Sequence, residues 1–316
     1  MKKVPLFRRV KNPVVFLLIL LLVTPAFSWR RTWSLDKLLF DGILGVETIK
    51  GDPDRLLVWG KNYEKVEARV ALVEWQNNKI KTIWESENFY ARGSNLMCAV
   101  GNFSGPSQEV VVLTDNKWRL YKIEDDGLRE SVSGTNITGI MEVTAGDIDG
   151  DGISELIITS VNKLLNNTVD KKIVVYKFQE GNFYKVKETE GFGNIRALAT
   201  ADLDGDGINE IIFEEGLAYK KGTITVLKDF EPIVSAGLRN YPVFALSGFD
   251  NTILVGDDSG SINLYRLEGS QLELVGKSVS VGWGLVDTAK GDFLQKGTNQ
   301  IILISAPAGA YLLEDI

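Results

Sequence analysis

Short apolar runs, each preceded by a polar loop that contains glycine, recur along the chain. They are rich in Val, Leu and Ile and occupy residues 56–58, 110–113, 156–158, 211–212, 253–255 and 301–304. Runs of this length that are bounded by turn-forming residues are typical of strands rather than helices. The pattern therefore predicts an all-β fold built from many short strands.

The loops and the runs together form a repeat. Residues 144–158 (TAGDIDGDGISELII) and 199–212 (ATADLDGDGINEII) match closely, and weaker copies lie at 49–58, 99–113, 246–255 and 288–304. The six loops begin near Gly51, Gly101, Gly146, Ala201, Gly248 and Gly291, so that successive starts are 43 to 55 residues apart. A period of this size with several strands per unit indicates the blades of a β-propeller.

Each unit accommodates four strands. In the fourth unit they are predicted at 196–203, 210–216, 222–229 and 233–239, and in the first unit 69–76 and 79–87 flank an Asn77-Asn78 turn. The sixth unit ends before a fourth strand, while residues 31–40 have no unit of their own. We therefore predict a six-bladed β-propeller whose N-terminal strand closes the last blade, with five or seven blades as alternatives.

The N-terminal segment resembles an export signal. Five basic residues between positions 2 and 11 precede an apolar run at 14–23, and Ala26 and Ser28 stand at the small-residue positions of a cleavage site. This predicts a signal peptide over residues 1–28 and a mature propeller domain over 29–316, secreted or otherwise outside the cytoplasm. The alternative is an uncleaved segment that anchors the domain at the cell surface, in which case the membrane is also a partner.

The amino-acid composition excludes several classes of function. The chain has no histidine and one cysteine, Cys98, which excludes Ser-His-Asp triads, Cys-His pairs, His-ligated zinc and an intrachain disulfide. The net charge is −7, and because residues 1–28 carry +5, the rest carries −12. A domain this acidic repels a phosphate backbone, so nucleic acid is not expected as a partner.

Two acidic loops contain the clearest candidate chemistry. Acids stand at positions 1, 3, 5 and 9 of each loop and glycines at positions 4 and 6, and the backbone carbonyl at position 7 can add a further oxygen ligand. The predicted metal ligands are Asp147, Asp149, Asp151, Ile153 and Glu155 in one loop, and Asp202, Asp204, Asp206, Ile208 and Glu210 in the other. An EF-hand would place its last acid at position 12 and begin a helix there, whereas strand-forming residues follow here. The sequence thus predicts two Ca²⁺ sites with a structural role.

These loops resemble the DxDxDGxx(D/E) calcium loops of FG-GAP or VCBS repeats, found in integrin alpha-subunit propellers and in many bacterial exported proteins. The resemblance covers the mature chain, strongly in units three and four and weakly elsewhere. It implies a propeller with calcium held between the first and second strands of a blade. Position 9 is Glu here, where integrins have Asp, and the loops of units two and six have lost most of their ligand residues.

In propellers of this kind the ligand meets the face opposite the calcium loops. The residues predicted on that face are Tyr90, Arg92, Arg196, Tyr241 and Trp283, and the longest excursion between a second and a third strand is predicted there at residues 161–171. No catalytic constellation is recognisable, so a ligand-binding or adhesion module with a protein or carbohydrate partner is favoured over an enzyme. The alternative is a lyase-like enzyme acting on extracellular glycans, which a cluster of Tyr, Arg and carboxylate at the channel mouth would favour.

Overall fold

A computed structural model of the 316-residue chain describes residues 30–35, 40–76, 79–89, 95–115, 117–165, 168–216, 222–238, 245–249, 251–256, 260–278, 280, 285–305 and 309–314. Twenty-four strands and no helix occur within these ranges. No helix of the described part is therefore a candidate to span a membrane. The predicted signal peptide at residues 1–28 lies outside the described residues.

The strands form six antiparallel sheets of four, which are the blades. The first strand, β1 (Arg30–Leu35), belongs to the last sheet. Blade 1 consists of β2 (Gly42–Ile49), β3 (Arg55–Asn62), β4 (Glu67–Gln76) and β5 (Lys79–Glu85). Blade 2 consists of β6 (Met97–Gly101), β7 (Glu109–Thr114), β8 (Lys117–Glu124) and β9 (Gly127–Gly134). Blade 3 consists of β10 (Ile140–Gly146), β11 (Glu155–Leu165), β12 (Thr168–Gln179) and β13 (Asn182–Glu188).

The remaining blades follow the same order. Blade 4 consists of β14 (Ile195–Ala201), β15 (Glu210–Glu215), β16 (Thr223–Lys228) and β17 (Glu231–Gly237). Blade 5 consists of β18 (Leu246–Phe249), β19 (Thr252–Gly256), β20 (Ile262–Glu268) and β21 (Gln271–Lys277). Blade 6 consists of β22 (Leu285–Gly291), β23 (Gln300–Ser305), β24 (Gly309–Glu314) and β1.

The blades close into a ring. The first strands contact one another in the cyclic order β2, β6, β10, β14, β18, β22 and back to β2, and therefore surround a central axis. The chain is thus a six-bladed β-propeller, as predicted, and the five- and seven-bladed alternatives are wrong.

Blade 6 takes its outer strand from the other end of the chain. β1 pairs antiparallel with β24, with Arg30 opposite Glu314 and Leu35 opposite Ala310. This confirms the predicted closure of the last blade by the N-terminal segment. The edge that β24 would otherwise expose is covered.

The hydrophobic core lies between the blades rather than in one central mass. Six clusters of buried residues each join two neighbouring blades, one cluster for each of the six interfaces. Both faces of the second strands are consequently buried, as in β23, where every residue is buried. This explains why the sequence shows continuous apolar runs there rather than the alternation of a half-exposed strand.

One predicted loop is part of a hairpin. Residues 161–171 extend the β11–β12 ladder, with Val161 opposite Lys171 and Leu165 opposite Thr168. The polar residues of this segment suggested a loop. The two strands extend beyond their neighbours in the blade, and their backbone groups form hydrogen bonds with each other even where the side chains face solvent. Asn162 donates to Asp170 (2.7 Å) beside it. The predicted excursion between the second and third strands of this blade is therefore present, as a paired hairpin rather than an open loop.

Candidate metal centre

The loops after β10 and β14 are held in their turns by the first aspartate of each. The Asp147 carboxylate accepts hydrogen bonds from the backbone N–H groups of Gly150 and Gly152 (both 2.8 Å). These two glycines have φ values of 76° and 83°, a region that favours glycine. Asp202 binds Gly205 (2.7 Å) and Gly207 (3.0 Å) in the same way. The glycines at positions 4 and 6 therefore allow the loop to wrap around its first acid.

The predicted ligands converge. In the first loop, carboxylate oxygens of Asp147, Asp149 and Glu155 all lie within 4.8 Å of one another. In the second loop, oxygens of three aspartates lie equally close, and these are Asp202, Asp204 and Asp206. Three carboxylates at this separation repel one another strongly unless a cation lies among them.

The glutamate at position 9 is the most buried member of each cluster. The side chains of Glu155 and Glu210 are 2% and 0% exposed. One oxygen of each accepts a backbone hydrogen bond, from Ile148 (3.0 Å) and Leu203 (2.7 Å) respectively. The other oxygen, Oε1, is buried and accepts no hydrogen bond of good geometry from any described residue. Burial raises the pKa of both glutamates, and the backbone hydrogen bonds partly oppose this.

These donors fit a hard cation. Calcium binds six to eight oxygen atoms at 2.3–2.6 Å in flexible cages of carboxylates and carbonyls. Each loop supplies several carboxylates around one point, and its buried Oε1 atom accepts no hydrogen bond of good geometry from the described residues. The carbonyls of Ile153 and Ile208 lie in the same loops, at the position where a backbone ligand was predicted.

In blades 3 and 4 a lysine from the third strand also reaches the acidic loop, a contact that the sequence pattern did not predict. Lys177 Nζ lies 2.7 Å from Asp149 Oδ2, 2.5 Å from Asp151 Oδ2 and 3.3 Å from Glu155 Oε1. Burial would lower the pKa of this lysine, but its hydrogen bonds to the acids outweigh that effect and raise it. The hydrogen bond from Lys177 in turn lowers the pKa of Asp151.

The second loop has the equivalent lysine. Lys228 binds Asp204, lies 2.7 Å from Asp206 Oδ2 and 3.4 Å from Glu210 Oε1. The hydrogen bond from Lys228 lowers the pKa of Asp206. Strand pairing could have revealed both lysines, since each stands opposite the position-9 glutamate of its blade.

Neighbouring loops are linked on this face of the propeller. Asn209, in the second loop, accepts a hydrogen bond from the Asp147 backbone N–H (3.0 Å) and donates its own backbone N–H to the Asp147 carbonyl (2.7 Å). Ser154 and Asn102 join blades 3 and 2 in the same way (3.0 Å in each direction). The candidate metal loops are therefore fastened to each other and to blade 2.

The central channel holds a second group of acids. It encloses about 420 Å³ and is lined by first-strand residues that include Glu47, Glu142 and Asp287. Burial raises the pKa of Glu47 to about 8, with a further contribution from the charge of Asp287. Burial also raises the pKa of Glu142 to about 7 against the opposing charge of Lys171, and that of Asp287 to about 7 against two backbone hydrogen bonds. The described lining contains no Tyr or Arg.

The predicted ligand face is only partly described. Tyr90, Arg92, Tyr241 and Trp283 lie outside the described residues. Arg196 is the second residue of β14 in blade 4, and its guanidinium pairs with the buried carboxylate of Glu214, with Nε 3.0 Å from Oε2. The Arg196 side chain is 10% exposed, so the pair stabilises the blade at this position rather than offering an open charge.

Comparison with known proteins agrees with the repeat found here. Residues 107–158, which run from blade 2 through the first acidic loop, match the FG-GAP-like repeat family. No curated protein matches the chain.

Proposed function

Since the chain is an FG-GAP-type β-propeller, we propose that it is a calcium-binding module outside the cytoplasm that binds a protein or carbohydrate ligand. The observation that supports calcium is the pair of loops in blades 3 and 4. Each brings three carboxylates within 4.8 Å and holds a buried position-9 oxygen that accepts no hydrogen bond of good geometry from described residues, although a lysine ammonium lies 3.3–3.4 Å away. An oxygen-rich site of this charge suits Ca²⁺ better than softer metals.

Calcium has a structural role in this proposal. Each loop joins the first and second strands of its blade, so a bound ion fastens these strands and neutralises the clustered acids. Because Asp147 and Asn209 link the two loops, an ion in one also steadies the other. Extracellular modules of this kind bind calcium with a Kd of about 10⁻⁴–10⁻³ M.

Calorimetric titration of the protein with Ca²⁺, together with thermal melting, tests the proposal. We expect two sites and a higher melting temperature with calcium. Asp149→Ala and Asp204→Ala are each expected to remove one site, because each deletes a carboxylate at the centre of one cluster. Asp126→Ala, an exposed acid in a turn of blade 2, serves as the control. No heat of binding at millimolar calcium would contradict the proposal.

We place the ligand on the face opposite the calcium loops. Support comes from the sequence, which predicts Tyr90, Arg92, Tyr241 and Trp283 on that face, residue types that are enriched in binding hot spots. Arg196 is excluded from this set because its guanidinium pairs with the buried Glu214. Exposing the calcium-loaded protein to immobilised polysaccharides distinguishes the two candidate functions. Retention without cleavage fits a binding module, whereas release of new sugar ends would establish the enzyme.

A further inference from the structure

Lys177 and Lys228 occupy equivalent places in their blades. In blade 3, Leu156 pairs with Tyr176, so the antiparallel register brings Glu155 opposite Lys177. In blade 4, Ile211 pairs with Leu227, so Glu210 comes opposite Lys228. Both lysines therefore extend from the third strand toward the acidic loop of their own blade. Lys177 and Lys228 follow the loop glutamates by 22 and 18 residues, so no local sequence motif contains both the acids and the lysine.

The two ammonium groups contact the oxygens that a metal would need. Lys177 Nζ lies 2.5–2.7 Å from acids at loop positions 3 and 5 and 3.3 Å from Glu155 Oε1. A calcium ion at 2.3–2.6 Å from the same oxygens would take nearly the same point in space. An ammonium and a divalent cation do not share that point, because they repel and because the oxygens have a limited number of lone pairs.

Blade 6 provides an independent observation, because there the charges are exchanged. Its loop carries Lys296, position 9 is Gln300, and the third strand ends in Glu314 opposite that position. Lys296 Nζ lies 3.0 and 2.9 Å from the two oxygens of Glu314. The third strand therefore complements the charge of its loop in this blade too, although the loop has lost most of its metal-type acids.

We infer that Lys177 and Lys228 are built-in counter-ions that hold the two loops in the absence of metal and that calcium must displace. The inference rests on the proposed calcium binding. Each loop then exchanges one cation for another, so the protein keeps its loops closed at low calcium. The lysines weaken calcium binding, and they reduce the stability that calcium adds.

Lys177→Gln and Lys228→Gln test the exchange by calcium calorimetry of the full chain. Each is expected to tighten binding at its own loop by about tenfold, because a unit positive charge next to the ion is removed, and to leave the other loop within about threefold. In EDTA each variant is expected to melt at a lower temperature than the wild type, because the acids lose their only close cation among the described residues. Lys172→Gln is the control, because Lys172 lies on the same strand as Lys177 but pairs with Glu188 (3.0 Å) away from the loop. It should change neither the calcium affinity nor the melting temperature in EDTA.

The possible results separate this inference from the proposed function. Wild type and variants that bind calcium with equal Kd would overturn the inference and leave the function in place. Variants that bind while the wild type does not would support the lysines as permanent substitutes and overturn calcium binding by the native chain. Absence of binding in all proteins would overturn both. If Lys177→Gln does not fold, Lys177→Met retains the aliphatic stem and permits the same comparison.

Discussion

At the scale of single residues, carboxylate side chains occupy two different environments in this propeller. The loop acids Asp149 and Asp151 contact a lysine, and Asp151 has a lowered pKa. The channel acids Glu47 and Asp287 are half-buried among the first strands, and desolvation raises their pKa values. Ionisation of the channel acids therefore costs free energy in the folded protein, whereas ionisation of the loop acids next to a lysine does not.

This difference predicts a pH-dependent stability. The pKa of Glu47 is about 8 in the folded protein and ordinary when unfolded, so the folded state binds more protons between about pH 4.5 and 8, and stability falls as pH rises through this range. Glu47→Gln removes the ionisation. We expect the substitution to raise the free energy of unfolding at pH 9 by about 2 kcal/mol more than it does at pH 5. The full pKa shift implies a larger difference, but water in the channel screens the charge.

Chemical denaturation at the two pH values measures the Glu47→Gln effect. Glu273→Gln, on an exposed position of the outer strand β21, is the matched control and should show no such difference. An equal effect of Glu47→Gln at pH 5 and pH 9 would show that the channel carboxylate is not desolvated.

At the scale of strands, β1 is the element on which ring closure depends. It is the outer strand of blade 6, and it pairs along its length with β24. Every other blade is made from one continuous stretch of chain. Without β1, the edge of β24 would present unpaired N–H and C=O groups, which are a template for pairing with another chain.

Removal of β1 tests this dependence. A chain that starts at residue 40 is expected to melt at a lower temperature and to self-associate in size-exclusion chromatography, because the β24 edge is free. A synthetic peptide of residues 29–37 added in trans should restore the monomer, and a scrambled peptide should not. A truncated chain with unchanged melting temperature and size would show that blade 6 is stable with three strands.

Strand by strand, local patterns predicted most of the fold. The apolar runs at 156–158 and 301–304 lie in second strands, as expected, because burial on both faces leaves a plain sequence signal. The four strands of blade 4 agree with prediction to within a few residues. The strand pairing within the excursion at 161–171 was missed because solvent-facing strands and loops share polar residues.

At the scale of the whole molecule, the arrangement of charge depends on pairings that no local pattern contains. The loop acids were found because they are adjacent in sequence, whereas their partner Lys177 comes from another strand. Glu47 and Asp287 are separated by 240 residues and meet only because the ring brings blades 1 and 6 together. One signal was available, since Glu142 and Asp287 each lie four residues before a loop glycine.

Closure by β1 also orders events during synthesis of the chain. β1 leaves the ribosome before the other described strands, and its partner β24 follows about 275 residues later, since Leu35 pairs with Ala310. At 5–20 residues per second this strand waits roughly 15–60 s for its partner. Blades 1 to 5 have all their strands before then, so the nascent propeller is an open arc in which β1 is still unpaired. A factor that shields residues 30–35 during this interval would protect the chain from premature association.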